Sequence, residues 1–194
     1  MGVRWTQQAM KDVAEEERRG LGLSPLDPLD PYALAREHGI PVYPIDELSD
    51  GVCSPEAVRH FTVTRSKVWS AALVPLGSAR IILENTAHLP ARRVSNLAHE
   101  LSHHFLEHVF NDVLLTDEGC GRADPRQETE AKFLSGVLLI TDYAAKKAAF
   151  AGKTNEEVAA TYGVSTQFAQ MRMSGARVFA QNALRKQAQA GRSR

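Results

Sequence analysis

The sequence predicts an α+β fold that is mostly helical, with a small antiparallel sheet packed on one central helix and a helical, helix-turn-helix-like C-terminal part. Three observations carry that expectation. Apolar residues recur at three- and four-residue spacing over residues 92–108 and again over 126–140, the period of amphipathic helices. Between residues 61 and 84 the pattern shifts to short β-rich runs, Ala72-Leu73-Val74 and Ile81-Ile82-Leu83, separated by Gly77-Ser78. From Thr154 to Ala169 the chain reads as helix, tight turn at Gly163, helix. The expected organisation is an N-terminal helical segment (1–60), a central core (61–141), and a helical C-terminal segment (142–194) that ends in a basic tail.

In chain order, residues 5–20 predict a helix with Met10, Val13 and Ala14 on one side and Gly20 and Gly22 at its end. After a turn-rich linker, Asp30 is a natural N-cap with Pro31 at the first helical position. That helix runs through Glu37 and closes at Gly39. Residues 40–45 are extended, and Pro41 and Pro44 confine them to a sheet edge. Ser54-Pro55 starts another helix, and residues 61–84 give two or three antiparallel strands joined by the glycine-containing turn. Pro90 opens the main helix, with Val94, Leu97, Ala98, Leu101 and Phe105 as its buried stripe. Residues 111–125 read as a loop of about fifteen, a length that suggests a functional lid. The next helix buries Ala131, Leu134, Val137 and Leu138. Gly136 in its middle costs about 1 kcal/mol against alanine, which is tolerable where another helix must come close. Thr141-Asp142 caps a further helix that ends at Gly152.

Composition narrows the class of protein. An apolar fraction of 43% and zero net charge describe an ordinary soluble chain of 194 residues, long enough to hold a rigid site. No acid follows Glu157, so Arg172, Arg177, Arg185, Lys186, Arg192 and Arg194 leave that end basic. Cys53 and Cys120 have no metal-binding spacing and are expected to be free thiols in a reducing compartment. No apolar run reaches the roughly 18 residues of a membrane span, and the start lacks a signal-peptide pattern. The expected location is the cytoplasm.

The chemistry concentrates in His99-Glu100-Leu101-Ser102-His103. On a helix, residues four apart lie about 40° off one line and roughly 6 Å apart along the axis, so both imidazoles share a face. That arrangement suits two nitrogen ligands of Zn²⁺, with Glu100 placed as general base on an activated water. Leu106 and Val109 stand where a metzincin pattern needs glycine and a third histidine, so that class is excluded. His104 points about 100° away from His103 and is expected at most to support a ligand from behind or to face substrate. His108 is expected at the surface near the helix end. A carboxylate from the following helix is the natural third ligand. Glu128 and Glu130 lie about 200° apart around that helix, so only one can face inward. Periodicity leaves both open.

Three runs resemble the ImmA/IrrE family of bacterial and phage metallopeptidases. They are Ala33-Leu34-Ala35-Arg36-Glu37-His38-Gly39-Ile40-Pro41-Val42, the run Leu97-Ala98-His99-Glu100-Leu101-Ser102-His103 preceded by Arg92-Arg93, and Glu128-Thr129-Glu130-Ala131 continuing to Leu138-Leu139-Ile140. The likeness spans roughly residues 30–175. It implies that Glu128, three before Ala131, is the third zinc ligand, with Glu130 ranked second. It also implies an intracellular zinc endopeptidase whose protein substrate is a helix-turn-helix transcriptional repressor. The chain departs from the family where Ile140-Thr141 replaces Met-Pro and Leu134-Ser135 replaces Phe-Ala. The expected chemistry has Glu100 take a proton from water and return it to the leaving amine, with Tyr143 and His104 as candidates for oxyanion stabilisation. The alternative is a DNA-binding or antirepressor module with a zinc site and little or no proteolysis. In it Thr166, Gln167, Gln170 and Arg172 would read bases.

Overall fold

Short polar caps set where the helices begin. The computed structural model describes residues 4–49, 53–108, 115–116, 119–120 and 124–192. Helix α1 (Gln7–Gly20) starts where the Thr6 hydroxyl accepts from the Ala9 N–H, and α2 (Pro31–Glu37) where the Asp30 carboxylate accepts from Tyr32. Ser54 does the same for α3 (Pro55–Arg59), Asp124 for α5 (Pro125–Leu139) and Thr141 for α6 (Asp142–Phe150). Between them, α4 (Pro90–Phe105) begins directly at its proline. Thr154 and Glu157 form a reciprocal capping box on α7 (Asn155–Tyr162), which Gly163 ends in the left-handed region before α8 (Thr166–Arg192). No described helix is long and apolar enough to cross a membrane.

The sheet has strand order β1 (Val42–Pro44), β3 (Ala79–Glu84), β2 (Ala71–Leu76). β2 and β3 form the expected antiparallel hairpin, turning at Gly77 with φ +61°. The proline-flanked segment at 42–44 joins β3 in parallel, so the sheet is mixed. Residues 60–64 continue α3 as one wide helical turn and do not form a strand. The Asn85 amide explains that difference. It is fully buried, and its Nδ2 lies 2.9 Å from Phe61 O, 3.2 Å from Ser66 O and 2.9 Å from Trp69 O. These bonds draw residues 61–69 into a cover over one sheet face, where Ile45, Trp69 and Ala72 form a small separate core. Within the loop expected at 111–125, Leu115–Thr116 (β4) pairs with Gly119–Cys120 (β5), and the other residues from Asn111 to Ala123 lie outside the described residues.

Side-chain alternation sends Ala71, Leu73 and Ile82 to the other face, into the main core with Leu97, Leu101, Leu134 and Leu138. The leucines of α4 and α5 are all but fully buried and hold these two helices together. The N-terminal half of α4 is tied to the sheet through Glu84, a buried carboxylate that accepts from the Tyr32 hydroxyl and, at 2.6 Å, from Arg93. Two arginines satisfy carbonyls at the end of α5. Buried Arg18 donates to Leu138 O at 2.6 Å, and Arg172 donates to Ile140 O at 2.7 Å. A Cβ on Gly136 would meet Arg172 Cδ at 3.1 Å, so the glycine makes room for that side chain.

Helix α4 ends in a Schellman turn. Leu106 is the C-cap, Glu107 takes φ +52°, its N–H bonds His104 O at 3.0 Å, and the His108 N–H bonds His103 O at 3.0 Å. Among the described residues Glu107 is the one non-glycine with positive φ, in a position that glycine usually takes.

Two stability predictions follow from these contacts. Asn85→Ala should cost about 2–3 kcal/mol in urea denaturation, because it removes a fully buried amide that bonds three carbonyls at once. Glu107→Gly should raise stability in the same measurement by up to about 1 kcal/mol through relief of left-handed strain.

Candidate metal centre

The buried stripe of α4 places His99 and His103 one turn apart along the edge that faces α5, and Glu128 sits in the first turn of α5. His99 Nε2 lies 3.1 Å from His103 Nε2 and 3.1 Å from Glu128 Oε2, while His103 Nε2 lies 3.3 Å from Glu128 Oε1. Metal–ligand bonds of about 2.0–2.1 Å at tetrahedral angles put neighbouring donors about 3.3 Å apart. The three groups already stand at that spacing. Two imidazoles and one carboxylate are a donor set that suits zinc and leaves a fourth position open. Glu130, the second-ranked alternative, is buried on another side of α5 and takes no part in this triad.

The two carboxylates beside the triad are pushed in opposite directions. Close contact with the His103 imidazole and then with His99 holds the Glu128 carboxyl well below the usual carboxylate range. Burial pushes the Glu100 carboxyl up, against the opposing pull of His99 and His103. The His99 imidazole is depressed by burial, but the Glu128 hydrogen bond and the charge of Glu100 outweigh this and raise it overall.

Glu100 Oε2 also accepts the Leu73 N–H at 2.9 Å. Register explains why that N–H is available. Leu73 stands opposite Ile82, whose own N–H turns away to Pro41 O at 2.9 Å, so this is a pair without mutual backbone bonds. Ala71, Leu73 and Pro75 therefore present their backbone to the outer edge of β2. Pro75 has no N–H to offer there.

His108 corrects the sequence expectation. It is not a surface residue. The Schellman turn folds it back under α4, where it is 5% exposed, its Nδ1 lies 2.9 Å from His103 Nδ1 and its Nε2 lies 3.2 Å from Glu130 Oε2. Burial, reinforced by His103, lowers its pKa. The far oxygen of Glu130 accepts the Trp5 N–H at 3.3 Å, and the Trp5 indole donates to Leu106 O at 3.0 Å. Spacing gives no sign of this layer, because a histidine five residues on meets its predecessor only if the helix ends between them. Without a glycine at position 107, nothing in the sequence marks that end.

The remaining candidates fall elsewhere. His104 packs edge-on against His38, with ring centroids 6.1 Å apart, and Tyr143 is 59% exposed on α6. No described hydrogen bond joins either to the triad. Of the four residues expected to read bases, Thr166, Gln167 and Gln170 are exposed on α8, whereas Arg172 is committed to Ile140 O and, at 2.9 Å, to Asp142.

Among curated proteins and among solved structures, no match to the chain was found. A family model does match. The IrrE N-terminal-like domain (Peptidase_M78) covers residues 35–174, a span that takes in the sheet, α4 and α5. The chain therefore belongs to this peptidase family, and the triad lies inside the matched region.

Proposed function

We propose that the chain is a zinc-dependent endopeptidase that cleaves an intracellular helix-turn-helix transcriptional repressor and so relieves repression. The observation that carries the hydrolytic reading is the triad itself, three donors at tetrahedral spacing one helical position from a carboxyl whose pKa is raised. Membership of a peptidase family supports it. The choice of a repressor as substrate rests on the ImmA/IrrE resemblance.

His99 Nε2, His103 Nε2 and a Glu128 oxygen would hold the ion. Bound there, zinc supplies Lewis acidity that polarises a carbonyl and brings the pKa of water toward about 7. Glu100 then acts as proton carrier, taking a proton from the attacking water and delivering it to the departing amine nitrogen. Its raised pKa suits both halves of that task, since a strongly acidic carboxylate would not hold the proton in between. An extended substrate would lie along the outer edge of β2 and pair with the backbone of Ala71 and Leu73. Competition for the Leu73 N–H would free Glu100 to turn toward the reacting water.

Purified protein should carry about one zinc per chain by elemental analysis. Chelator treatment should abolish cleavage, and zinc should restore it. Glu100→Gln should keep the metal and lose about 10²–10⁴ in cleavage rate, read as survival of a co-expressed repressor on a protein gel. A repressor that disappears equally fast with the variant would overturn the proposal.

A further inference from the structure

Beside the triad, two buried titratable residues, His108 and Glu130, take no part in ligation, and their contacts run in one line toward it. Glu130 Oε2 lies 3.2 Å from His108 Nε2, and His108 Nδ1 lies 2.9 Å from His103 Nδ1. All three side chains are buried. The direction of the bonds follows from which atoms can donate. A carboxylate only accepts, so the hydrogen between Glu130 and His108 sits on His108 Nε2. A neutral His108 then offers a bare Nδ1, and the bond to His103 can form only if His103 carries its hydrogen on Nδ1. His103 Nε2 is left with its lone pair, directed toward His99 Nε2 and Glu128 Oε1.

We infer that Glu130 and His108 form a two-step hydrogen-bond relay that locks His103 in the Nδ1–H tautomer and presents its Nε2 for ligation. Both are positioning residues, and the inference rests on the metal reading proposed above. Metal-binding histidines commonly donate their second nitrogen straight to a carboxylate. Here an extra imidazole stands between, and the fold is built to put it there. Glu107 adopts its left-handed conformation at the step that turns His108 under His103, and the Trp5 N–H braces the other oxygen of Glu130. The relay therefore joins the start of the chain, the end of α4 and the face of α5 at one ligand.

The test uses the full chain with ¹⁵N-labelled histidine, first stripped of metal by chelator and then loaded with zinc. Stripping matters, because zinc on Nε2 would force the Nδ1–H form by itself. The stripped wild type should show His103 as Nδ1–H, and Nε2–H there would overturn the relay. Zinc affinity is then measured by chelator competition for His108→Phe, which keeps a ring but no hydrogen bonds, and for His108→Gln, which can accept from His103 and donate to Glu130. His108→Phe should bind about 10–100-fold more weakly, and His108→Gln should recover most of that loss. Folded His108→Phe that binds zinc as tightly as wild type would also overturn the relay. Should that variant fail to fold, the tautomer of the stripped wild type still decides. Wild type with the Nδ1–H tautomer and no zinc binding would refute the metal reading and leave the relay standing.

Discussion

Three donor atoms from two helices have to stand within the edge length of a small tetrahedron, and much of the chain serves to keep α4 and α5 at that separation. The leucine interface sets the distance between the helix axes, and close packing leaves little room for sliding. Lengthwise position is set at the ends. Asp124 caps the start of α5 close to Glu128, while Arg18 and Arg172 take the carbonyls at its far end. On α4 the equivalent anchor is the Glu84–Arg93 pair with Tyr32. The Ile140-Thr141 exit from α5 fits this setting. Ile140 offers its carbonyl to Arg172, and Thr141 caps the next helix, so the chain leaves α5 by polar bonding.

Two carboxylates close together usually repel, yet Glu100 and Glu128 divide their environment. One lies against the two imidazoles and is favoured as the carboxylate; the other is desolvated against the sheet and kept in place by a backbone N–H. Such a split sets the proton affinities of neighbouring acids apart.

What the sequence disclosed was mostly local. Asp30-Pro31, Ser54-Pro55, Pro90 and Thr141-Asp142 mark helix starts because capping is settled within a turn of chain, and each stands where expected. The shared face of His99 and His103 is legible for the same reason. Glu128 was not separable from Glu130 by pattern, because periodicity reports burial. The more deeply buried acid is Glu130, and the half-exposed one meets the histidines. Residues 61–64 escaped because Asn85, more than twenty positions on, decides their conformation. His108 escaped because its place depends on a backbone reversal at a residue type that seldom makes one.

Prolines sit at both margins of the sheet, Pro41 and Pro44 beside and within β1, and Pro75 on the outward register of β2. An open sheet edge invites any extended chain, including another copy of the same protein. Here an incoming strand meets the N–H groups of Ala71 and Leu73, the second already bonded to Glu100, before it reaches a proline. Backbone pairing that short carries no sequence information of its own. Any choice among partners at this edge would therefore fall to side chains, and the prolines that shorten the edge for an extended chain shorten it equally for a second copy.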